Sequence, residues 1–260
     1  MICGFVALAL SLVTTTAAAA DDVAVFAAGS LRAPMTELAR DFEQASGMRV
    51  TLTFGASGLL RDRIAGGEPA DVFASANMAH PQSLVGKGWA RATTRFAKNR
   101  ICLLTAPGLG IDSASALAAL LDPGLKLGTS TPKADPGGDY AWEVFHRAER
   151  VRPGAFATLD QKARKLTGGP QSPPPPAAGS VYAHLLGNGD ADLFLTYCTN
   201  AIVAHDENAK LEVVRLPEDL AVGAEYGVAA RDGAGAQAFV AFLLSPPGFA
   251  HLRAYGFDPP

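Results

Sequence analysis

Two serines stand at matching places in the chain, each where a strand-like run gives way to a helix-like one. Val23-Ala24-Val25-Phe26 is a short apolar run that reads as a buried strand, and Leu31, Met35, Leu38, Ala39 and Phe42 then recur at helical spacing, which leaves Ser30 on the turn between them. Val50-Thr51-Leu52-Thr53-Phe54 is β-rich and alternating, and after Gly55-Ala56-Ser57-Gly58 a short helical segment runs from Leu59 to Ile64, so Ser57 repeats the arrangement. A strand-to-helix turn aims free backbone N–H groups and the positive end of a helix at one point, and a hydroxyl there adds a further donor. A serine at such a turn more commonly caps its helix. The repetition says more than either copy, because two such turns opening on one cleft supply two hydroxyls and two sets of N–H groups to an anion.

Other residues offer chemistry more weakly. Thr129 to Tyr140 contains Asp135-Pro136-Gly137-Gly138 ahead of a helix expected from about Ala141 to Arg150; its glycines permit close backbone approach to a ligand, or make an ordinary Pro-Gly turn. Gly55-Ala56-Ser57-Gly58-Leu59 resembles a nucleophile elbow, but the last glycine of G-x-S-x-G is Leu59, and His80, His146, His184, His205 and His251 show no metal-ligand spacing. A serine hydrolase is therefore a remote alternative, and no catalytic residue, metal ligand or cofactor is predicted. Arg32, Arg61 and Arg63 lie near the serine turns and would suit a carboxylate or another organic anion, although helical spacing places them on outer faces.

The elements that must hold these turns alternate along the chain. Further strands are expected at Pro69–Ala76, Arg100–Thr105, Leu193–Tyr197, Leu211–Leu216 and Tyr226–Ala230, with helices between them and two at the end, Ala236–Leu244 and Pro247–Tyr255. Alternation of this kind predicts α/β layers with open, mostly parallel sheets, in which ligands sit beyond the carboxyl ends of the strands, where the serine turns fall. Thr167 to Gly179 is rich in Gly and Pro, and Ser172-Pro173-Pro174-Pro175-Pro176 reads as an extended surface connection. With 22 Lys and Arg against 25 Asp and Glu, the chain has no basic footprint for nucleic acid, and an anionic ligand would have to be held by local dipoles. Residues 1–20 are uncharged, apolar at their centre and end in Ala17-Ala18-Ala19-Ala20, as a secretory signal cleaved near Ala20 would, so an exported protein is expected. Cys102 and Cys198 then remain in a compartment that permits disulfides, with their pairing open.

Taken in order, Phe26-Ala27-Ala28-Gly29-Ser30-Leu31, Phe54-Gly55-Ala56-Ser57-Gly58 and Pro69-Ala70-Asp71-Val72-Phe73-Ala74-Ser75-Ala76 resemble the successive signatures of the periplasmic molybdate-binding proteins of ABC transporters, and the likeness continues to Arg253-Ala254-Tyr255-Gly256-Phe257. The resemblance implies a two-lobed, type II periplasmic-binding-protein fold, with residues 21–104 and 226–260 as a discontinuous first lobe and 105–225 as the second. It implies molybdate, and tungstate with it, as ligand, an ABC permease as partner and hinge closure on binding; a monomer is expected separately, since no apolar stripe in the sequence asks for a partner. Carried over by position, Ser30 and Ser57 would donate from the first lobe, and Tyr197, with the backbone N–H of Gly137 and of Gly179, from the second. The Pro-rich run before Gly179 and the sequence Tyr197-Cys198-Thr199-Asn200 depart from the family pattern, which leaves another oxyanion or a small organic anion as the alternative ligand.

Overall fold

The computed structural model describes residues 22–174, 176 and 179–260; the expected signal segment and Pro175, Ala177 and Ala178 of the Pro-rich run lie outside them. Strand β1 (Val23–Ala28) is almost wholly buried and leads through a single 3-10 turn, Gly29–Leu31, into helix α1 (Arg32–Ser46). Pro34 falls in the first turn of α1, where its missing N–H costs no intrahelical bond. Then follow β2 (Val50–Gly55), α2 (Ser57–Ala65), β3 (Val72–Ser75), α3 (Ala79–Val85) and a strand of 13 residues, β4 (Thr93–Thr105). The middle of the chain forms α4 (Ala116–Leu121), β5 (Leu127–Ser130), α5 (Pro136–Val151), α6 (Ala155–Lys162), β6 (Arg164–Thr167), α7 (Val181–Gly187), β7 (Leu193–Tyr197), α8 (Cys198–Glu207) and β8 (Glu212–Arg215). Strand β9 (Gly223–Ala230) and helices α9 (Ala234–Leu243) and α10 (Pro246–Ala254) complete it.

The strands join in the order β2-β1-β3-β9-β4-β7-β5-β6, with β8 also on β4. Pairing is parallel within the outer triplets β2-β1-β3 and β7-β5-β6. The antiparallel pairings all involve β4 or β9, the two strands that carry the chain between the halves, so the sheet is mixed rather than mostly parallel throughout. Residues 93–100 of β4 pair with β9, whereas Ile101–Thr105 pair with β7 and β8, so one unbroken strand belongs to both halves. Its first seven residues, Thr93–Asn99, were not expected as strand because Arg95, Lys98 and Asn99 interrupt the apolar pattern.

Apolar helix faces cover both sides of this sheet. Leu31 of the 3-10 turn and Met35, Leu38 and Phe42 from α1 pack with Phe239 of α9, while Val144, Phe145 and Ala148 of α5 close on Leu193 and Leu195 of β7. Cys102 of β4 and Cys198, the first residue of α8, form a disulfide across 96 residues, which fixes that helix to the spanning strand one residue after Tyr197.

Candidate functional site

Because β1 and β2 run parallel with Ala28 opposite Gly55, their exits lie side by side, and the Ser30 and Ser57 turns are neighbours. A cavity of about 480 Å³ opens beyond these strand ends. Ser30, Phe54, Asp135, Tyr182, Tyr197 and Asn200 are among the residues that line it, so both halves of the sheet contribute to one cleft.

Ser30 Oγ lies 2.9 Å from the Tyr226 hydroxyl, which Asn99 Nδ2 also approaches at 3.5 Å. Ser57 is buried beneath the cavity wall, where its Oγ accepts the Ala76 N–H at 3.2 Å. Neither serine acts as the N-cap of the following helix: α1 and α2 have no side-chain cap. The next residue after Ser57, Gly58, donates its N–H across the cleft to the Ala134 carbonyl at 2.8 Å. A Cβ on Gly58 would stand 2.3 Å from the Lys133 carbonyl oxygen, so only glycine lets these two segments meet.

Tyr197 approaches from the other half. Its phenolic oxygen is buried and has no hydrogen-bond partner among the described residues, and burial raises its pKa well above the ordinary tyrosine value. Such a hydroxyl, kept neutral and unpaired at a cavity wall, is a donor waiting for an acceptor. The rings of Tyr140 and Tyr226 pack edge-on against it, with centroids 6.2 and 5.6 Å away.

Helix α5 starts at Pro136, five residues before the expected start, which makes Gly137 part of its first turn. Gly137 is adjacent to the Tyr197 ring, but its N–H is already donated to Asp135 Oδ1 at 3.0 Å. Gly179 reaches the cavity wall too; the neighbouring Ser180 N–H donates to Glu207 Oε2 at 2.6 Å, so a carboxylate occupies that turn as well. Of the five predicted residues, Ser30, Tyr197 and Gly179 line the cavity, and Ser57 and Gly137 lie directly behind Ala56 and Asp135, which do.

Arg61 is held by Asp62 and by His80 Nδ1, and Arg63 by Glu68. Arg32 alone supplies a basic side chain to the described lining, and it is exposed at the mouth, 4.6 Å above the Phe54 ring. Sequence reading missed Tyr226, Asn99, Tyr182 and Asp135. For the first three no local signal exists, since each acquires its role through partners distant in the chain; Asp135 carried one, as an Asp-Pro pair at a helix start is a strong capping signature.

A family profile described as bacterial extracellular solute-binding protein matches residues 23–258. The chain belongs to that family. An uncharacterised relative of this solute-binding protein in Pasteurella multocida is 36% identical over 238 residues, covering 90% of this chain and 98% of its own. The molybdate-binding protein ModA of Escherichia coli K12 is 29% identical over 97% of this chain and 96% of its own. Among solved structures, the periplasmic molybdate-binding protein of Azotobacter vinelandii matches with a TM-score of 0.73 at 20% identity, over 92% of this chain and all of that one. The sulfate-binding protein SubI of Mycobacterium tuberculosis gives the same TM-score at 18% identity, over 92% of this chain and 86% of its own. The solute-binding family to which the chain belongs consists of binding proteins rather than enzymes, and its members serve outside the cytoplasm.

Proposed function

We propose that this chain is the periplasmic receptor of an ABC importer, capturing molybdate, and tungstate with it, and delivering it to the membrane permease by closure of its cleft. The observation that carries the reading is the buried, unpaired Tyr197 hydroxyl in the same cavity wall as Ser30. A fully deprotonated tetrahedral dianion offers only acceptors, and hydroxyls with helix-start N–H groups satisfy it without a salt bridge, each charge-assisted bond contributing roughly 1.5–3 kcal/mol. Residues 21–104 with 226–260 would form one lobe and 105–225 the other, with Ser30 and Ser57 donating from the first and Tyr197 and Gly179 from the second, joined by Gly137 once its N–H turns from Asp135 Oδ1 to the ligand. Only the closed arrangement then satisfies every ligand oxygen, so binding and closure are one event. The Gly58 to Ala134 hydrogen bond supports this, since it ties two segments on opposite sides of the cleft.

One observation favours a second reading, a small organic anion such as a phosphomonoester. The cavity, at about 480 Å³, is within the roughly 300–1,000 Å³ range of pockets that enclose whole organic ligands.

Calorimetric titration of the mature protein with molybdate, tungstate, sulfate, phosphate and glycerol 3-phosphate separates the two. Tight binding of the first two with the others silent establishes the molybdate receptor. Binding of the phosphomonoester alone moves the ligand to the second reading, and silence from all five refutes both.

A further inference from the structure

Asp135 has no role in a site built only of donors. Its side chain caps α5, with Oδ1 accepting the Gly137 N–H at 3.0 Å and Oδ2 accepting Ser130 Oγ at 2.7 Å. Ser130 Oγ in turn lies 2.8 Å from Thr167 Oγ1. Gly168, at φ +72°, presses so close that a Cβ there would stand 2.4 Å from Oδ2, which shuts that oxygen off from water. What remains open of this half-buried residue faces the cavity.

Among the described residues, the groups around the carboxyl supply no counter-charge. Asp139 follows on α5, and Tyr182 of α7, Tyr197 of β7 and Tyr226 of β9 sense the carboxyl from three other elements. Tyr140 of α5 packs on Tyr197, Lys133 and Arg61 act on Asp139, and Glu207 and Arg32 belong to outer parts of the same cavity. Burial raises the Asp135 pKa and the Asp139 charge adds to it, outweighing the lowering by Ser130 and Gly137.

The ionised carboxylate is therefore an internal anion placed where a ligand anion would go, consuming a donor at the start of α5. Asp135 Oδ1 and Tyr197 Cε2 lie 3.5 and 3.6 Å from one point, the position of a Gly137 Cβ, and so within about 7 Å of each other. A second anion against Tyr197 meets this charge in a poorly hydrated place. We propose that anion capture by this cleft is proton-coupled: the anion enters together with one proton, held on Asp135 or shared between Asp135 and the ligand. The proton removes the repulsion and gives the carboxyl an O–H to donate. A fully deprotonated anion takes that proton from solvent, whereas an anion that already carries one brings it in. The inference deepens the oxyanion reading above and rests on it.

The test is calorimetry of the wild-type protein with sodium molybdate in two buffers of unlike ionisation enthalpy, repeated from pH 6.5 to 8.5. The expected result is uptake of about one proton per anion bound, with the dissociation constant rising up to tenfold per pH unit where Asp135 is ionised in the free protein. Asp135→Asn should bind without proton uptake and with an affinity that is flat over the range, while Asp139→Asn keeps the uptake. Molybdate binding with no proton uptake at any pH overturns the coupling and leaves the receptor reading standing, and wild type alone suffices for that outcome. Silence from molybdate, tungstate, sulfate and phosphate at every pH overturns the reading beneath it, and the coupling with it.

Discussion

Replacing Tyr197 by Phe removes a single oxygen, and the structure gives its effects opposite signs in the free and the bound protein. The phenolic O–H is buried without a partner among the described residues, so the free protein bears a desolvation cost of about 1–3 kcal/mol that Phe does not. The ring itself is well packed between Tyr140 and Tyr226 and keeps its place in the variant. Tyr197→Phe should therefore raise the stability of the free protein by about 1 kcal/mol, a Tm increase of roughly 2–4 °C for a chain of this size. With the anion bound, the same oxygen makes a charge-assisted bond worth roughly 1.5–3 kcal/mol, so affinity should fall roughly 10- to 150-fold. The assay is a pair of thermal melts, with and without molybdate, beside a titration of each protein. A variant that melts lower when free and binds as tightly as wild type would refute the placement of this hydroxyl in the ligand's coordination.

Ser30→Ala should weaken anion binding by roughly tenfold and cost about 1 kcal/mol of stability through the lost Tyr226 contact, read by the same titration and melt. Gly58→Ala places a methyl 2.3 Å from the Lys133 carbonyl, so small-angle scattering should show a more open molecule and titration a weakened affinity, with an unchanged radius refuting the contact's role in closure. Reduction of the Cys102–Cys198 disulfide, or Cys102→Ser with Cys198→Ser, should lower stability by about 2–4 kcal/mol in denaturant melts. Burial, with the Arg61 charge beside Nδ1, lowers the His80 pKa to about 4. Because the folded value is below the unfolded one of about 6.5, His80 stabilises the fold at neutral pH, and that contribution is lost as pH falls from 6.5 through 4. His80→Gln should flatten this part of the stability profile.

The residues whose roles depend on their immediate neighbours could be read directly. Ser30 stands at a strand exit that a run of four apolar residues announces and Ser57 at one announced by an alternating β-rich run, and the pairing of β1 with β2 brings the two turns together. Gly137 is expected from the sequence as a backbone donor to the ligand, yet its N–H is spent on Asp135, because a carboxylate two residues earlier competes with any ligand for the same donor. Roles created by distant pairing were not legible. Tyr226 meets Ser30 across 196 residues, the disulfide joins positions 96 apart, and α8 begins on Cys198 without a side-chain cap to mark it. The helix-start chemistry at Gly58 was legible as a flexible turn, but not that its missing side chain leaves room for a second segment.

Strand β4 bears on how such a molecule lets a ligand go. It is hydrogen-bonded along most of its length, to β9 in one half and to β7 and β8 in the other, so it cannot slacken like a loop. The halves can twist about it but cannot drift apart without breaking ladder bonds. A receptor built this way would have a bounded gape, with torsion of β4 and of its neighbour β9 limiting release: stiffening β4 near Arg100 and Ile101, where its partners change, should lengthen the ligand's residence even though these residues are outside the cavity lining.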